Sequence, residues 1–189
     1  MKANIFILGD TRLGKEDEDI FRRIWGGMAF FNSLCSYKRG LTVLIRNDTP
    51  ISNIKWENII PGNFSKLSFT ANNKNVLVKC LYAPNEDSNP NDDNNDSTKF
   101  LKTVMDDTGD KIYDYRMMTG DFNLAINHEK DTSGYLHINN PNTREYVTRQ
   151  ANLSNLVDIW RIRNPDTRQY TFHKRQTKNY TNADLTTFW

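Results

Sequence analysis

Residues 76–85 of the chain read Val-Leu-Val-Lys-Cys-Leu-Tyr-Ala-Pro-Asn, and residues 116–123 read Arg-Met-Met-Thr-Gly-Asp-Phe-Asn. Each stretch contains a short apolar run, typical of a strand inside a sheet, and ends in polar residues. Polar residues just past the carboxyl ends of strands in an α/β sheet converge on the edge where ligands bind. The two stretches therefore predict an interior strand over 76–81 and a further strand over 116–119 that carry polar groups to one edge.

Further apolar runs predict more strands. Residues 5–8, Ile-Phe-Ile-Leu, form a continuous apolar run that ends at Gly9 and predicts a strand buried on both faces. Residues 41–45 predict another interior strand and residues 67–70 a weaker one. Residues 170–172 and 185–189 predict two short strands that close the chain.

Helical spacing of apolar residues predicts three helices. The first runs from about Glu16 to Trp25, ends at Gly26-Gly27 and turns one apolar face inward, made of Ile20, Phe21, Ile24 and Trp25. The second runs from Thr98 to about Asp107, with Phe100, Leu101, Val104 and Met105 inward. The third begins after Asn142, which stands at N-cap spacing from Glu145. The polar residues 85–96 predict a surface loop.

The order of these elements and the composition predict one α/β domain over residues 1–189. Strands alternating with helices give either a mixed sheet covered by helices or a two-sheet α/β sandwich. A hydrophobic content of 37% is too high for a disordered protein. No apolar stretch approaches the roughly 18 residues of a membrane span, so no membrane partner is expected. The two cysteines, Cys35 and Cys80, lie far apart and are expected to be reduced, intracellular thiols.

Three polar clusters supply the candidate site residues. They are Gly9-Asp10-Thr11-Arg12, Tyr82-Ala83-Pro84-Asn85 and Gly120-Asp121-Phe122-Asn123. Carboxylate and carboxamide oxygens suit Mg²⁺ or Mn²⁺, while Tyr, Asn and Arg can donate hydrogen bonds to a phosphate. This set of groups predicts phosphoryl chemistry, in which Asp121 orients or deprotonates a water molecule. Each cluster taken alone is more often only a turn.

In their order along the chain, these clusters and further segments resemble the endonuclease domain of LINE-type (non-LTR) retrotransposons, within the endonuclease/exonuclease/phosphatase superfamily. The matching segments are Leu8-Gly9-Asp10-Thr11-Arg12-Leu13, Arg39-Gly40-Leu41-Thr42-Val43-Leu44-Ile45, Leu81-Tyr82-Ala83-Pro84-Asn85, Gly120-Asp121-Phe122-Asn123, and Val157-Asp158-Ile159-Trp160-Arg161 with Tyr170-Thr171-Phe172. The last pair is typical of the retroelement branch. The resemblance implies a four-layered α/β sandwich, two mixed β-sheets flanked by helices and incomplete at both edges.

The resemblance also implies a Mg²⁺- or Mn²⁺-dependent DNA endonuclease, associated with a reverse transcriptase and acting in the nucleus as a monomer without a small-molecule cofactor. The implied roles of single residues are catalysis for Asp121, Asn123 and Tyr82, phosphate binding for Asn85 and Arg12, metal binding for Asp10, and support of the site for Asp158. A nearly balanced charge, 25 Lys and Arg against 23 Asp and Glu, permits a DNA partner without requiring one.

Several positions depart from the family pattern and predict impaired activity. Asp10 stands where the family has Glu, and its shorter side chain weakens metal ligation. Thr186 stands where the family has an Asp that orients a catalytic histidine. That histidine would follow Trp189, and the family's first strand would precede Met1. The three histidines present, His128, His137 and His173, do not match its position.

Parts of the sequence also fit three functions other than nuclease activity. Gly9 to Lys15 has the glycine and lysine spacing of a nucleotide-binding P-loop, but Glu16 replaces the required Ser or Thr and, with Asp10, would repel phosphates. A non-catalytic, truncated remnant with residual nucleic-acid binding is the main alternative. A phosphatase of the same superfamily is the next alternative.

Overall fold

A computed structural model describes residues 3–84, 96–107, 112–133, 141–170, 172–175 and 180–183 of the chain. These residues divide between two compact units. The first unit comprises Met1–Tyr82 and Gly109–Gly120, and the second comprises Ala83–Thr108 and Asp121–Trp189. The single domain expected from the sequence stays a prediction. In the described part of the chain, no helix is long and apolar enough to cross a membrane.

The described residues of the first unit form two sheets and the helix α1. One sheet has the order β1-β3-β2, all antiparallel, and helix α1 joins β1 to β2. The other sheet has the order β4-β5-β6-β7. The elements are β1 (Ile5–Gly9), α1 (Lys15–Trp25), β2 (Met28–Asn32), β3 (Leu41–Ile45), β4 (Ser52–Ile60), β5 (Phe64–Ala71), β6 (Lys74–Tyr82) and β7 (Tyr115–Asp121).

Strands β6 and β7 run in the same direction. At their beginnings, the backbone N–H of Asp114 donates to the carbonyl of Asn75 over 2.9 Å. At their ends, the N–H of Ala83 donates to the carbonyl of Asp121 over 2.7 Å. Since β4, β5 and β6 pair antiparallel, the four-stranded sheet is mixed. Both strands predicted from residues 76–85 and 116–123 are thereby confirmed.

The core of the first unit lies between its two sheets. Strand β3 is buried along its whole length, as the apolar run over 41–45 predicts. Its inward residues pack against alternate residues of β5 and β6, which follow the two-residue period of a strand. The cluster consists of Leu41, Val43, Ile45, Leu67, Phe69, Val76, Val78 and Cys80.

The strand predicted over residues 5–8 is confirmed, but its burial on both faces is wrong. Strand β1 is an edge strand whose Ile5 and Ile7 pack on the core, while Phe6 is 36% exposed and Leu8 38% exposed. Helix α1 covers this outer face only in part. Its Trp25 ring meets the Phe6 ring edge to face at a centroid distance of 5.6 Å.

Helix α1 is confirmed with its end at Gly26, which adopts the left-handed conformation that favours glycine. Its predicted inward face is only half correct. Phe21 packs on Phe31 of β2, but Ile20 is 51% exposed and Ile24 is 79% exposed. The helix therefore contacts the sheet through a narrower stripe than its apolar pattern suggests.

The second unit is mainly helical, and its described elements include a small antiparallel sheet of order β8-β10-β9. Helices α2 and α4 contact each other, and Thr98 hydrogen-bonds Thr143 over 2.5 Å. Both helices carry fully buried apolar residues, which include Leu101, Val104 and Val147. The elements are α2 (Asp96–Asp106), α3 (His128–Asp131), β8 (Thr132–Ser133), α4 (Pro141–Leu153), α5 (Ile159–Arg163), β9 (Phe172–Arg175) and β10 (Tyr180–Ala183).

Four predictions on this unit need correction or lie outside the described residues. Helix α4 begins at Pro141, a residue suited to a first helical turn, so Asn142 lies inside the helix and is not its N-cap. Tyr170 precedes strand β9, which begins only at Phe172. The strand over 185–189 and most of the loop over 85–96 fall outside the described residues. The predicted α/β class is confirmed.

Candidate functional site

The loop after β1 has an unusual backbone. Asp10 and Arg12 both have positive φ, 52° and 50°, in the left-handed region that costs a non-glycine residue energy. Two hydrogen bonds fix the loop against the residues before β3: Thr11 N–H donates to the Gly40 carbonyl and Arg12 N–H to the Arg39 carbonyl, over 3.2 and 2.9 Å. The loop is thus held in a defined conformation that presents Asp10 and Arg12.

The Asp10 carboxylate accepts several hydrogen bonds. Its Oδ2 accepts from Nε and Nη2 of Arg12, over 3.0 and 2.7 Å. Its Oδ1 accepts from the backbone N–H of Arg39 over 3.2 Å, and the Tyr82 side chain donates a further bond. Hydrogen bonds from the Arg12 guanidinium hold the pKa of Asp10 below its ordinary value of 3.8. Partial burial raises this pKa, whereas the hydrogen bonds from Arg39 and Tyr82 lower it further.

Behind Asp10, a buried asparagine connects Arg39 to Tyr82. Asn63 accepts from Nη1 of Arg39 over 2.9 Å and donates from Nδ2 to the Tyr82 carbonyl over 2.5 Å. The Tyr82 N–H donates back to the Asn63 carbonyl over 2.8 Å. Because a carbonyl only accepts and a guanidinium only donates, these partners fix the orientation of the Asn63 amide. We call Asp10, Arg12, Arg39, Asn63 and Tyr82 the Asp10 cluster.

The Asp10 cluster contains two residues that the sequence prediction missed. Asn63 follows Pro61-Gly62 in the turn between β4 and β5, where an Asn is an ordinary turn residue. Arg39 lies in the loop before β3 and, like Asp10 and Arg12, has a positive φ of 59°. A non-glycine residue in this conformation is a structural signal that no sequence pattern reveals.

In the second unit, the residues after Gly120 form a tight turn. The N–H of Asn123 donates to Oδ1 of Asp121 over 2.8 Å, an Asx turn, and Asn123 has a positive φ of 48°. Nδ2 of Asn123 donates to the Ala83 carbonyl over 2.6 Å, and Phe122 between them is fully buried. The turn, which we call the Asp121 turn, therefore fixes a carboxylate and a carboxamide side by side.

The glycine that leads into this turn cannot be replaced by a larger residue. Gly120 has φ +136°, and a Cβ built on it would lie 1.8 Å from the carbonyl oxygen of Leu81 in β6. Only glycine allows β7 to approach β6 this closely at its end. The glycine of the Gly-Asp-Phe-Asn motif is therefore required by the packing of β7 against β6.

Asp158 has a clear structural task in the second unit. Its Oδ1 accepts from the N–H of Arg161 over 2.8 Å and caps helix α5. Arg161 in turn pairs with Asp131 over 2.5 Å, with side chains only 18% and 10% exposed, and donates to the carbonyls of Asn164 and Thr167. The Asp-Ile-Trp-Arg segment is therefore an anchoring element, and support of the site by Asp158 stays a prediction.

The structure brings Asp10, Arg12 and Tyr82 together in the first unit, and Asp121 and Asn123 together in the second. Asn85, Thr186 and His137 lie outside the described residues, as does the side chain of His173. His128 is described, and its Nε2 is buried without a hydrogen-bond partner among the described residues.

The structure of the chain resembles solved structures over almost its full length. The AP endonuclease from Archaeoglobus fulgidus matches with a TM-score of 0.65 at 16% identity, over 95% of this chain and 76% of its own. The endonuclease domain of TRAS1, a telomere-specific non-LTR retrotransposon, matches with 0.62 at 9% identity, over 98% and 72%. The 3′ phosphatase NExo from Neisseria, bound to a product DNA hairpin, matches with 0.69 at 13% identity, over 98% and 75%. The chain has an endonuclease/exonuclease/phosphatase-type fold.

This fold is the one that the resemblance of the sequence motifs implies. No family model matches the sequence, and no curated protein matches it either. At identities of 9% to 16%, the likeness establishes the endonuclease/exonuclease/phosphatase-type fold. The proteins named above are DNA-processing nucleases and a phosphatase.

The donor chemistry of Asp10 suits the Mg²⁺ predicted for this fold. Mg²⁺ is usually bound through one or two carboxylates, completed by waters and substrate phosphates. Asp10 supplies one carboxylate, and its lowered pKa keeps it ionised at neutral pH. Among the described residues, no group of three His, Cys, Asp or Glu side chains could hold an ion. Of the predicted site residues in this unit, Asp10 is the one that would hold a metal ion, with waters and substrate oxygens completing its ligands.

Proposed function

We propose that the chain hydrolyses phosphodiester bonds of DNA with the help of Mg²⁺ or Mn²⁺, as an endonuclease of retrotransposon type, and that its activity is low. The observation that carries this proposal is the Asp121 turn on an endonuclease/exonuclease/phosphatase-type fold. There a carboxylate and a carboxamide lie two residues apart and are held by backbone groups. Groups fixed in advance of the reaction are what efficient catalysis requires.

In this proposal, Asp121 orients and deprotonates the attacking water, and Asn123 positions the phosphate. One N–H of the Asn123 amide is engaged by the Ala83 carbonyl, and the second is available in principle to a phosphate oxygen. The Asx turn keeps the Asp121 carboxylate from rotating freely. A general base needs this restriction, because it must lie within hydrogen-bond reach of the water it deprotonates.

The Asp10 cluster is proposed to bind the scissile phosphate and the metal. The phosphate is contacted by Tyr82, Arg12 and Asn85. Asp10 would hold the metal ion, which when bound supplies positive charge to the transition state. Asn63 keeps Tyr82 in place through its two backbone contacts.

DNA as the substrate is supported by the names of the structural neighbours and by the sequence motifs. The neighbours include a retrotransposon endonuclease domain and a protein bound to a DNA hairpin. The Asp-Ile-Trp-Arg and Tyr-Thr-Phe segments resemble the retroelement branch. Low activity is supported by the Asp10 cluster, since Arg12 already neutralises the one carboxylate that would bind the metal. A nuclear location follows from this substrate.

Two alternatives have specific support. The NExo structure is that of a 3′ phosphatase, so removal of a terminal phosphate is the second candidate activity. A non-catalytic chain with residual nucleic-acid binding is the third, because the exposed Arg12 guanidinium can contact a phosphate without any chemistry.

A panel of labelled DNA duplexes separates the three functions. One duplex is intact, one carries a 3′ phosphate at a nick, and both are incubated with the chain and Mg²⁺ before the products are sized on a denaturing gel. We expect internal cuts in the intact duplex, which the matched Asp48→Ala control retains and Asp121→Ala loses. Phosphate release without internal cuts would replace the proposal by the phosphatase. Salt-sensitive binding without either product would replace it by the remnant.

A further inference from the structure

We propose that Arg12 is an internal counter-cation of Asp10, and that a phosphate and a divalent metal ion therefore bind to the first unit cooperatively. The phosphate takes the Arg12 guanidinium, and the metal ion takes the Asp10 carboxylate that Arg12 leaves. This inference rests on the proposed function only for the two classes of ligand. Its basis is the set of contacts around Asp10.

The Asp10 carboxylate has no acceptor capacity to spare. An ionised carboxylate offers about four lone-pair positions. Two are used by Nε and Nη2 of Arg12, both on Oδ2. Two more donors are the Arg39 N–H on Oδ1 and the Tyr82 side chain. A metal ion can bind Asp10 only if one of these donors leaves.

Arg12 is the donor that leaves most readily. The Arg39 N–H belongs to a residue whose carbonyl accepts from the Arg12 N–H and whose guanidinium donates to Asn63. Tyr82 is held by Asn63 on both its N–H and its carbonyl. The side chain of Arg12, in contrast, is 59% exposed. A divalent ion at Oδ2 would also repel the guanidinium 2.7 Å from the same oxygen.

A phosphate provides the new partner that makes this exchange favourable. Guanidinium groups bind phosphates through paired N–H donors in the same way that they bind carboxylates. When the fork of Arg12 turns to a phosphate, Oδ2 of Asp10 loses two donors and becomes available to a metal ion. Because coupling between two ligands is reciprocal, the metal must strengthen phosphate binding by the same factor.

The chain contains a matched control for this pair. Arg46 and Asp48 are also two residues apart, and Nε and Nη2 of Arg46 donate to the two oxygens of Asp48 over 2.9 Å each. This second pair is exposed, 39% and 67%, and belongs to the turn after β3. Replacing Arg46 removes one positive surface charge, as replacing Arg12 does, but leaves the surroundings of Asp10 unchanged.

The test measures Mn²⁺ binding to the full chain by electron paramagnetic resonance, without DNA and without cleavage. We expect Arg12→Gln to bind Mn²⁺ about tenfold more tightly than the wild-type chain. Arg46→Gln should bind like wild type, and the double variant Asp10→Asn, Arg12→Gln should lose the gain. Circular dichroism spectra that match the wild type show that each variant is folded.

The second arm adds sulfate as the phosphate probe, with ionic strength held constant by chloride. Sulfate should tighten Mn²⁺ binding to the wild-type chain and have no such effect on Arg12→Gln. Equal Mn²⁺ affinity of wild type and Arg12→Gln, including no binding by either, would overturn the inference, and so would an equal gain in Arg46→Gln. Neither result depends on DNA cleavage, so failure of the proposed function would show separately in the duplex panel.

Discussion

Replacement of Gly120 by alanine tests the backbone arrangement that places the Asp121 turn at the end of β7. The new Cβ would lie 1.8 Å from the Leu81 oxygen, 2.8 Å from its carbonyl carbon and 3.0 Å from its nitrogen. These are backbone atoms of a paired strand, so no side-chain rotation relieves the overlap. The φ of +136° adds roughly 1–3 kcal/mol of strain for any residue with a Cβ. We expect Gly120→Ala to lower the free energy of unfolding by at least about 4 kcal/mol.

Gly26→Ala is the matched control for this substitution. Gly26 also has a positive φ, +67°, but a Cβ there would meet nothing within 4 Å. The control therefore isolates the cost of the left-handed backbone, roughly 1–2 kcal/mol. Urea titration followed by circular dichroism gives both values, and the midpoint of thermal unfolding should fall by about 2–4 °C per kcal/mol. If Gly120→Ala is no more destabilising than Gly26→Ala, the overlap with the Leu81 backbone does not exist.

Three further predictions follow from buried or coupled polar groups. Arg161→Ala should lower the free energy of unfolding by about 3–5 kcal/mol in urea titrations, because Asp131 would be left as a nearly buried, unpaired charge. A loss of stability smaller than that caused by replacing an exposed arginine would disprove this. Asn32→Ala should cost about 3 kcal/mol by the same assay, because the buried amide of Asn32 joins the end of β4 to the start of β5. The two hydrogens of its Nδ2 are shared among the carbonyls of Ile60 and Phe64 and the Ser65 hydroxyl, and its Oδ1 accepts from the Gly62 N–H. An unchanged midpoint would contradict this. Burial and Asp106 raise the pKa of Tyr146 from 10.0 to about 12, so its stabilising contribution is complete below pH 10 and is lost as the pH rises through about 12. An ultraviolet titration should show a late tyrosine that Tyr146→Phe lacks.

The sequence predicts strands best where apolar residues run continuously. The runs over 41–45 and 76–81 became the buried strands β3 and β6. Strand β4 was missed because its apolar residues, such as Ile54 and Trp56, alternate with Ser, Asn, Lys and Glu in a polar-looking segment. Its hydrophobic face is formed only by packing on the core of the first unit.

In the candidate site too, residues next to a predicted strand can be picked out from the sequence, whereas residues that meet only in the folded chain cannot. Asp10 and Asp121 are predicted from the sequence because each stands just past a predicted strand, over residues 5–8 and 116–119. Asn63 and Arg39 were not, because their roles exist only once the β4–β5 turn and the loop before β3 come together. The pairing of Arg12 with Asp10 was likewise invisible, since it requires two residues with positive φ in one short loop.

The chain is proposed to hydrolyse DNA through Asp121 and Asn123 with a divalent metal ion. The direct test is the nicking of supercoiled plasmid by the purified chain in Mg²⁺, Mn²⁺ or EDTA, beside the Asp121→Ala, Asn123→Ala double variant. We expect slow nicking that requires the metal ion and is lost in the double variant. Nicking that persists in EDTA or in the double variant would contradict the claim, and so would a folded wild-type chain that never nicks.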